Sequence, residues 1–158
     1  MHTATSHDSY TDHALAILRE KGLRITQARK HVVALLAETP TPVSAYEIRD
    51  ALQAAGEKVD VVSVYRILDC LEEQQLIHRL VGQPTGSAKV IRCRLDHEDH
   101  CHREQPDHCH HLLVCEACGT IDEIHCVGLS PVMKDIQQQT GFKTRRHTME
   151  LAGRCARC

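Results

Sequence analysis

Tryptophan is missing from this 158-residue chain, and aromatic residues make up only 3% of it. That scarcity argues against a surface of stacked rings for gripping bases or sugars. No run approaches the roughly 18 consecutive apolar residues that a membrane helix needs. The opening MHTATSHDSYTDHA lacks the basic-then-apolar order of a secretory signal. A cytoplasmic protein with no membrane partner is therefore expected. Charge of one sign is also lacking: the formal net charge is -2, which excludes a uniformly basic nucleic-acid coat but leaves room for a basic face on one domain. No HExxH segment marks a metal-assisted hydrolase, so neither an enzyme nor a small-molecule substrate is expected.

Two residue types are abundant instead, with 13 histidines and 9 cysteines. Both are soft or borderline metal ligands. An odd cysteine count in a reducing compartment points to metal rather than disulfides. Apolar residues (42%) suffice for a core and charged ones (25%) for solubility. The distribution is uneven. Cys70 is the one cysteine before Lys89, and the other eight lie from Cys93 onward. The stretch Asp96 to His111, DHEDHCHREQPDHCHH, is dense in charge and ligands and cannot pack as a core element. The expected organisation is a first domain over 1–95, a His/Cys-rich hinge or insertion over 96–107, and a second domain over 108–158. Up to Arg94 the net charge is +1, and beyond it -3.

The first part reads as successive short helices. Ser9 to Asp12 looks like a cap before Ala14, Leu15 and Leu18, with Gly22 ending the helix. Thr26 caps a second helix, stopped at Thr39-Pro40. Ser44 with Glu47 forms a capping box for a third, which ends by Gly56. A fourth runs from about Val61 to Gln75. The period then changes, and Leu76–Val81 and Lys89–Leu95 read as a β-hairpin. This is the order of a winged helix-turn-helix, although the same pattern also suits a small helical domain that binds no DNA. In the second part, Leu112–Val114 and Thr120–Ile124 read as strands, Ser130-Pro131 opens a helix to about Thr140, and Lys143–Leu151 reads as a last strand. The fold class is α+β, with a second unit too small to be comfortable without a staple.

Cys115-x-x-Cys118 and Cys155-x-x-Cys158 supply that staple. Two CxxC turns complete a closed four-sulfur site, the preferred structural arrangement for zinc, while a redox pair or an iron–sulfur cluster uses the same spacing. A second candidate set is His78, Cys93, the histidines at the end of the linker, and Glu123. His78 and Cys93 fall on the two strands of the wing, and His108 and His110 alternate onto one face of an extended segment. A mixed sulfur, nitrogen and oxygen set suits zinc; a buried cysteine among solvated histidines is the plainer alternative.

The segments Gly22-Leu-Arg-Ile-Thr-Gln-Ala-Arg29, Ser44-Ala-Tyr-Glu-Ile48, Val64-Tyr-Arg66 and Cys115-Glu-Ala-Cys118-Gly119 carry a likeness. With them, the chain resembles the ferric uptake regulator family from Leu15 to Cys158, and within that family the zinc uptake regulators. The resemblance implies a homodimeric winged-helix repressor with an α/β dimerisation domain, acting on a double-stranded operator that is an AT-rich inverted repeat. It implies DNA contacts from Tyr46, Ser63, Tyr65 and Arg66. It also implies a structural zinc on Cys115, Cys118, Cys155 and Cys158, and a regulatory zinc on His78, Cys93, His108 and Glu123. An insertion near residues 96 to 107 leaves His110 or His111 as alternatives to His108. Cys93 stands where iron and peroxide sensors carry a carboxylate. Thr41 and Pro42 occupy positions where iron regulators often present histidines. His147 matches a ligand of a further, third metal site, while Ser130 stands where that site's carboxylate is expected.

The resulting expectation is a zinc-responsive repressor of zinc uptake genes, with zinc as corepressor fixing the angle between domains. The rival readings are an iron- or peroxide-responsive regulator of the same family and a zinc-buffering protein that uses the His/Cys tract as a sponge.

Overall fold

The computed structural model describes residues 6–80, 88–94, 110–125, 130–143 and 147–158. The chain forms two compact units, Met1–Cys93 and Arg94–Cys158.

The first unit begins with α1 (Ser6–Glu20) and α2 (Gln27–Glu38). Helix α1 starts three residues before the expected cap at Ser9, so Tyr10 lies within it. The reason is tertiary: the Tyr10 ring is buried and joins the core, which favours an extra helical turn that local capping signals do not announce. Thr26 caps α2 by accepting the Arg29 amide at 3.2 Å. A two-residue strand, β1 (Val43–Ser44), leads into α3 (Ala45–Ala54). The capping box is present, with the Glu47 amide donating to Ser44 Oγ at 3.2 Å and the Ser44 amide to Glu47 Oε2 at 2.7 Å. Helix α4 (Val61–Glu73) turns Val64, Ile67, Leu68 and Leu71 inward at helical spacing against Leu36 and Ile48.

Helix α4 ends in a Schellman turn. The Leu76 amide donates to the Leu71 carbonyl and the Gln75 amide to that of Glu72, both at 2.9 Å, with Gln75 at φ 58°. That turn reverses the chain into β2 (Ile77–Arg79), which pairs antiparallel with β3 (Lys89–Arg92). Strand β1 adds to the other edge of β3, so the sheet order is β1-β3-β2. The helices followed by this hairpin make a winged helix-turn-helix. Residues 81–87, the tip of the expected wing, lie outside the described residues, as do Leu95 and the tract 96–107.

Among the described residues, the second unit is a three-stranded sheet with one helix. Strand β4 (His110–Cys115) pairs antiparallel with β5 (Ile121–His125) and parallel with β6 (Glu150–Gly153), in the order β5-β4-β6. The parallel pair requires a crossover, which includes α5 (Ser130–Thr140), bounded where Ser130-Pro131 and Gly141 signal. The last strand corrects the expectation of Lys143–Leu151: among the described residues it is Glu150–Gly153, and residues 144–146 lie outside the described residues. Its start is decided by pairing with Leu112, where the Leu112 amide takes the Met149 carbonyl at 3.1 Å. Local composition carries no sign of that partner.

Candidate metal centre and nucleic-acid interface

Strand β4 delivers Cys115 at its last residue, and the chain then turns through Cys118. The Gly119 amide returns to the Cys115 carbonyl at 2.8 Å, with Gly119 at φ 71°, a left-handed conformation that costs a side-chain-bearing residue about 1 kcal/mol. Strand β6 delivers the second turn beside it, and the Glu116 amide donates to the Gly153 carbonyl at 2.8 Å to lock the two turns together. The sulfurs converge. Sγ–Sγ distances are 3.9 Å for Cys115–Cys158, 3.6 Å for Cys118–Cys155 and 3.5 Å for Cys155–Cys158, and all four atoms lie within 4.8 Å of one another. A tetrahedron with metal–sulfur bonds of about 2.3 Å has edges of about 3.8 Å. The cluster fits zinc and is too open for disulfides, whose sulfurs sit about 2 Å apart; the cysteines are free thiols.

Electrostatics in the cluster are uneven. Backbone hydrogen bonds from the Cys118 and Cys155 segments, including the Cys155 amide at 3.3 Å, hold the Cys115 thiol down to about 6. Cys118 is lowered by its contact with Thr120. Hydrogen bonding to Cys118 and Cys155 pushes Cys158 up to about 12. One thiolate is thus tolerated where several would repel one another.

A second pair of ligands lies in the first unit. His78 faces Ile91 across the β2–β3 ladder, and Cys93 lies two residues beyond Ile91, so the two side chains are diagonal neighbours on one sheet face. A ring nitrogen of His78 and the sulfur of buried Cys93 come within 4.8 Å. The Cys93 amide donates to the Leu76 carbonyl at 2.9 Å. In the second unit, Glu123 sits opposite Leu112, and its two carboxylate oxygens accept the Arg94 amide at 2.9 and 3.0 Å. His108 lies outside the described residues. His110 belongs to β4, in register with His125. His111 is buried, accepts the Met149 amide on Nδ1 at 3.2 Å and packs against His147 with ring centroids 5.0 Å apart.

The expected DNA contacts gather on α3 and α4. The Tyr46 and Tyr65 rings meet edge to face at 6.3 Å, and Arg66 is exposed on α4. Ser63 is occupied locally: its hydroxyl donates to Asp60 Oδ2 at 2.6 Å and its amide to Oδ1 at 2.9 Å, which lowers the Asp60 carboxyl. Sequence reasoning passes over two side chains on this surface. The Arg49 guanidinium lies 5.3 Å from the Tyr46 ring centroid, and Val62 is 56% exposed on α4. Val62 was findable from its place off the buried stripe of α4, whereas the i, i+3 spacing of Arg49 to Tyr46 permits their contact but leaves it to the rotamers that packing selects.

The model of the Ferric uptake regulator family matches residues 20–152. The Zinc uptake regulation protein of Escherichia coli K12 is 30% identical over 142 residues, covering 90% of this chain and 77% of that protein. The Peroxide operon regulator of Bacillus subtilis 168 is also 30% identical, over 145 residues, covering 92% and 90%. Among solved structures, a zinc uptake regulator complexed with zinc and DNA superposes with a TM-score of 0.76 at 28% identity, covering 98% of this chain and 96% of that one. The protein belongs to the ferric uptake regulator family, on its zinc uptake regulator branch.

Proposed function

We propose that this protein is a zinc-responsive, DNA-binding repressor of zinc uptake genes that works as a homodimer in the cytoplasm and holds two zinc ions per chain. The observation that carries the proposal is the His78–Cys93 pair at the foot of the wing, a sulfur and an imidazole sharing one face of a DNA-reading domain. The similar regulator bound to both zinc and DNA supports it.

The four-cysteine cluster is the structural centre. Its sulfurs complete a tetrahedral shell and leave no open position for a substrate, so the role is binding rather than catalysis. The regulatory centre consists of His78, Cys93, Glu123 and a histidine near the start of β4, His108 or His110. Arg94, whose amide Glu123 accepts, is the covalent neighbour of Cys93, so the carboxylate is tethered to the ligand strand in sequence. Zinc supplies an attraction shared by ligands from both domains. His78 and Cys93 hold the wing end, Glu123 and the histidine hold the second unit, and their joint engagement narrows the set of interdomain angles. A dimer with defined half-site spacing binds without first ordering itself.

Exposed Val132, Ile136, Phe142 and Leu151 in the second unit are apolar surface suited to a second copy. For DNA, Arg66 reaches base edges, and Tyr46 and Tyr65 position on the backbone. Val62 can meet a thymine methyl group, consistent with an AT-rich operator. Ser63 would have to leave Asp60 before donating to a phosphate. Among the described residues no helix is long and apolar enough to cross a membrane.

An iron- or peroxide-responsive regulator is the second reading, favoured by the equal identity to a peroxide regulator. The sulfur of Cys93 weighs against it, because a sulfur ligand selects zinc over harder ions. Fluorescence anisotropy with an AT-rich inverted-repeat duplex decides between them. Zinc should raise affinity where ferrous iron does not, and Arg66→Ala should cost about 1–3 kcal/mol. Equal affinity with and without zinc overturns the proposal.

A further inference from the structure

The carbonyl of Leu76 receives two hydrogen bonds. One comes from the Cys93 amide at 2.9 Å and the other from the Tyr10 hydroxyl at 3.0 Å, 66 positions away in the chain. Leu76 is the residue before β2 and Cys93 the residue after β3, so this carbonyl closes the last rung of the ladder beside the ligand pair. Strand ends fray because their outermost bonds have neighbours on one side only. Here the fraying end is clamped: Tyr10 is 8% exposed, and the Arg92 guanidinium, one residue from Cys93, lies 5.6 Å from its ring centroid.

We propose that Tyr10 is a positioning residue for the regulatory metal, orienting Cys93 through the shared Leu76 carbonyl and through Arg92 packed on its ring. The inference rests on the assignment of His78 and Cys93 as regulatory ligands, and it brings α1 into the sensing apparatus. The physical reasoning is that a thiolate ligand contributes most when its backbone is ordered before the ion arrives. Groups that orient ligands without touching the metal influence affinity through that order. With the hydroxyl removed, the ring and its cation–π contact remain, and the last rung depends on the Cys93 amide alone. Loss of one such bond corresponds to a three- to tenfold weakening of metal binding.

The test uses full-length protein that retains zinc in its four-cysteine centre after mild chelation, titrated with cobalt(II). The thiolate-to-cobalt charge-transfer band reports Cys93 directly. Wild type should develop a saturable band that Cys93→Ser abolishes. Tyr10→Phe should reach the same band with a dissociation constant three- to tenfold higher, at unchanged zinc content. Ile48→Val, a conservative truncation in the same buried core, separates positioning from general stability and should leave the cobalt titration where wild type has it. A Tyr10→Phe titration that overlays wild type overturns the Tyr10 assignment alone. So does an equal shift in Ile48→Val. A band that survives Cys93→Ser overturns the ligand assignment and this inference together.

Discussion

The four cysteines show how a few backbone amides divide identical side chains into different chemical states. Donors around Cys115 hold its thiol down to about 6, so it is ionised at neutral pH, whereas Cys158, pushed up to about 12, keeps its proton. Zinc requires all four as thiolates, so binding expels the protons that remain. Fewer than four protons should leave per zinc at pH 7, since Cys115 has already lost its own. The number should rise as pH falls through 6 and Cys115 becomes protonated, and apparent affinity should fall in parallel. Calorimetry in buffers of different ionisation enthalpy counts these protons. Release that does not change between pH 5.5 and 8 would contradict this ordering of the thiols. The CxxC spacing makes the cluster legible in the chain itself, and the Cys118 amide that does most to lower Cys115 belongs to that local turn; the further lowering by the Cys155 amide, delivered by the segment after β6, is not legible there.

At the scale of elements, most boundaries follow signals that lie beside them. Ser44 and Glu47 open α3 and Thr26 opens α2, because each cap satisfies orphan amides within three residues, and α5 starts where Ser130-Pro131 signals a helix. Ser44→Ala should cost about 1 kcal/mol, read as a lower urea midpoint of the first unit. The box also has a pH signature. Hydrogen bonds from Ser44 and the nearby charge of Lys89 lower the Glu47 carboxyl. Its contribution is therefore complete above the usual carboxylate range and lost as pH falls through the depressed value, a loss that Ser44→Ala should blunt. The elements that resist sequence reading are those whose partners are distant. Strand β1 is two residues long, too short to show a period, and exists because β3 has an open edge. The first turn of α1 depends on the burial of Tyr10, and the start of β6 on its pairing with β4.

For the molecule as a whole, two units of different chemistry follow one another along the chain, Met1–Cys93 and Arg94–Cys158. The first unit has a helix-packed apolar core, while the second gathers four cysteine sulfurs from the turn after β4 and the segment after β6 into a cluster that fits zinc. Chelation should therefore unfold the second unit while the far-ultraviolet signal of the first persists. Deletion of residues 97 to 105 tests whether the histidine- and cysteine-rich tract serves the switch. If the tract is a solvated insertion, zinc-dependent operator binding survives at wild-type affinity; a shift in the zinc concentration needed would assign it to metal capture. The two CxxC pairs, the caps of α2 and α3 and the helix-then-hairpin order were legible in the linear chain, because each rests on spacing within a few residues. Folding alone decided that His78 and Cys93 share a sheet face, that Tyr10 and Cys93 meet on one carbonyl, and that Arg49 lies over Tyr46. The first two depend on strand register and on contacts between distant segments, and the third on the rotamers that packing selects, none of which local spacing encodes.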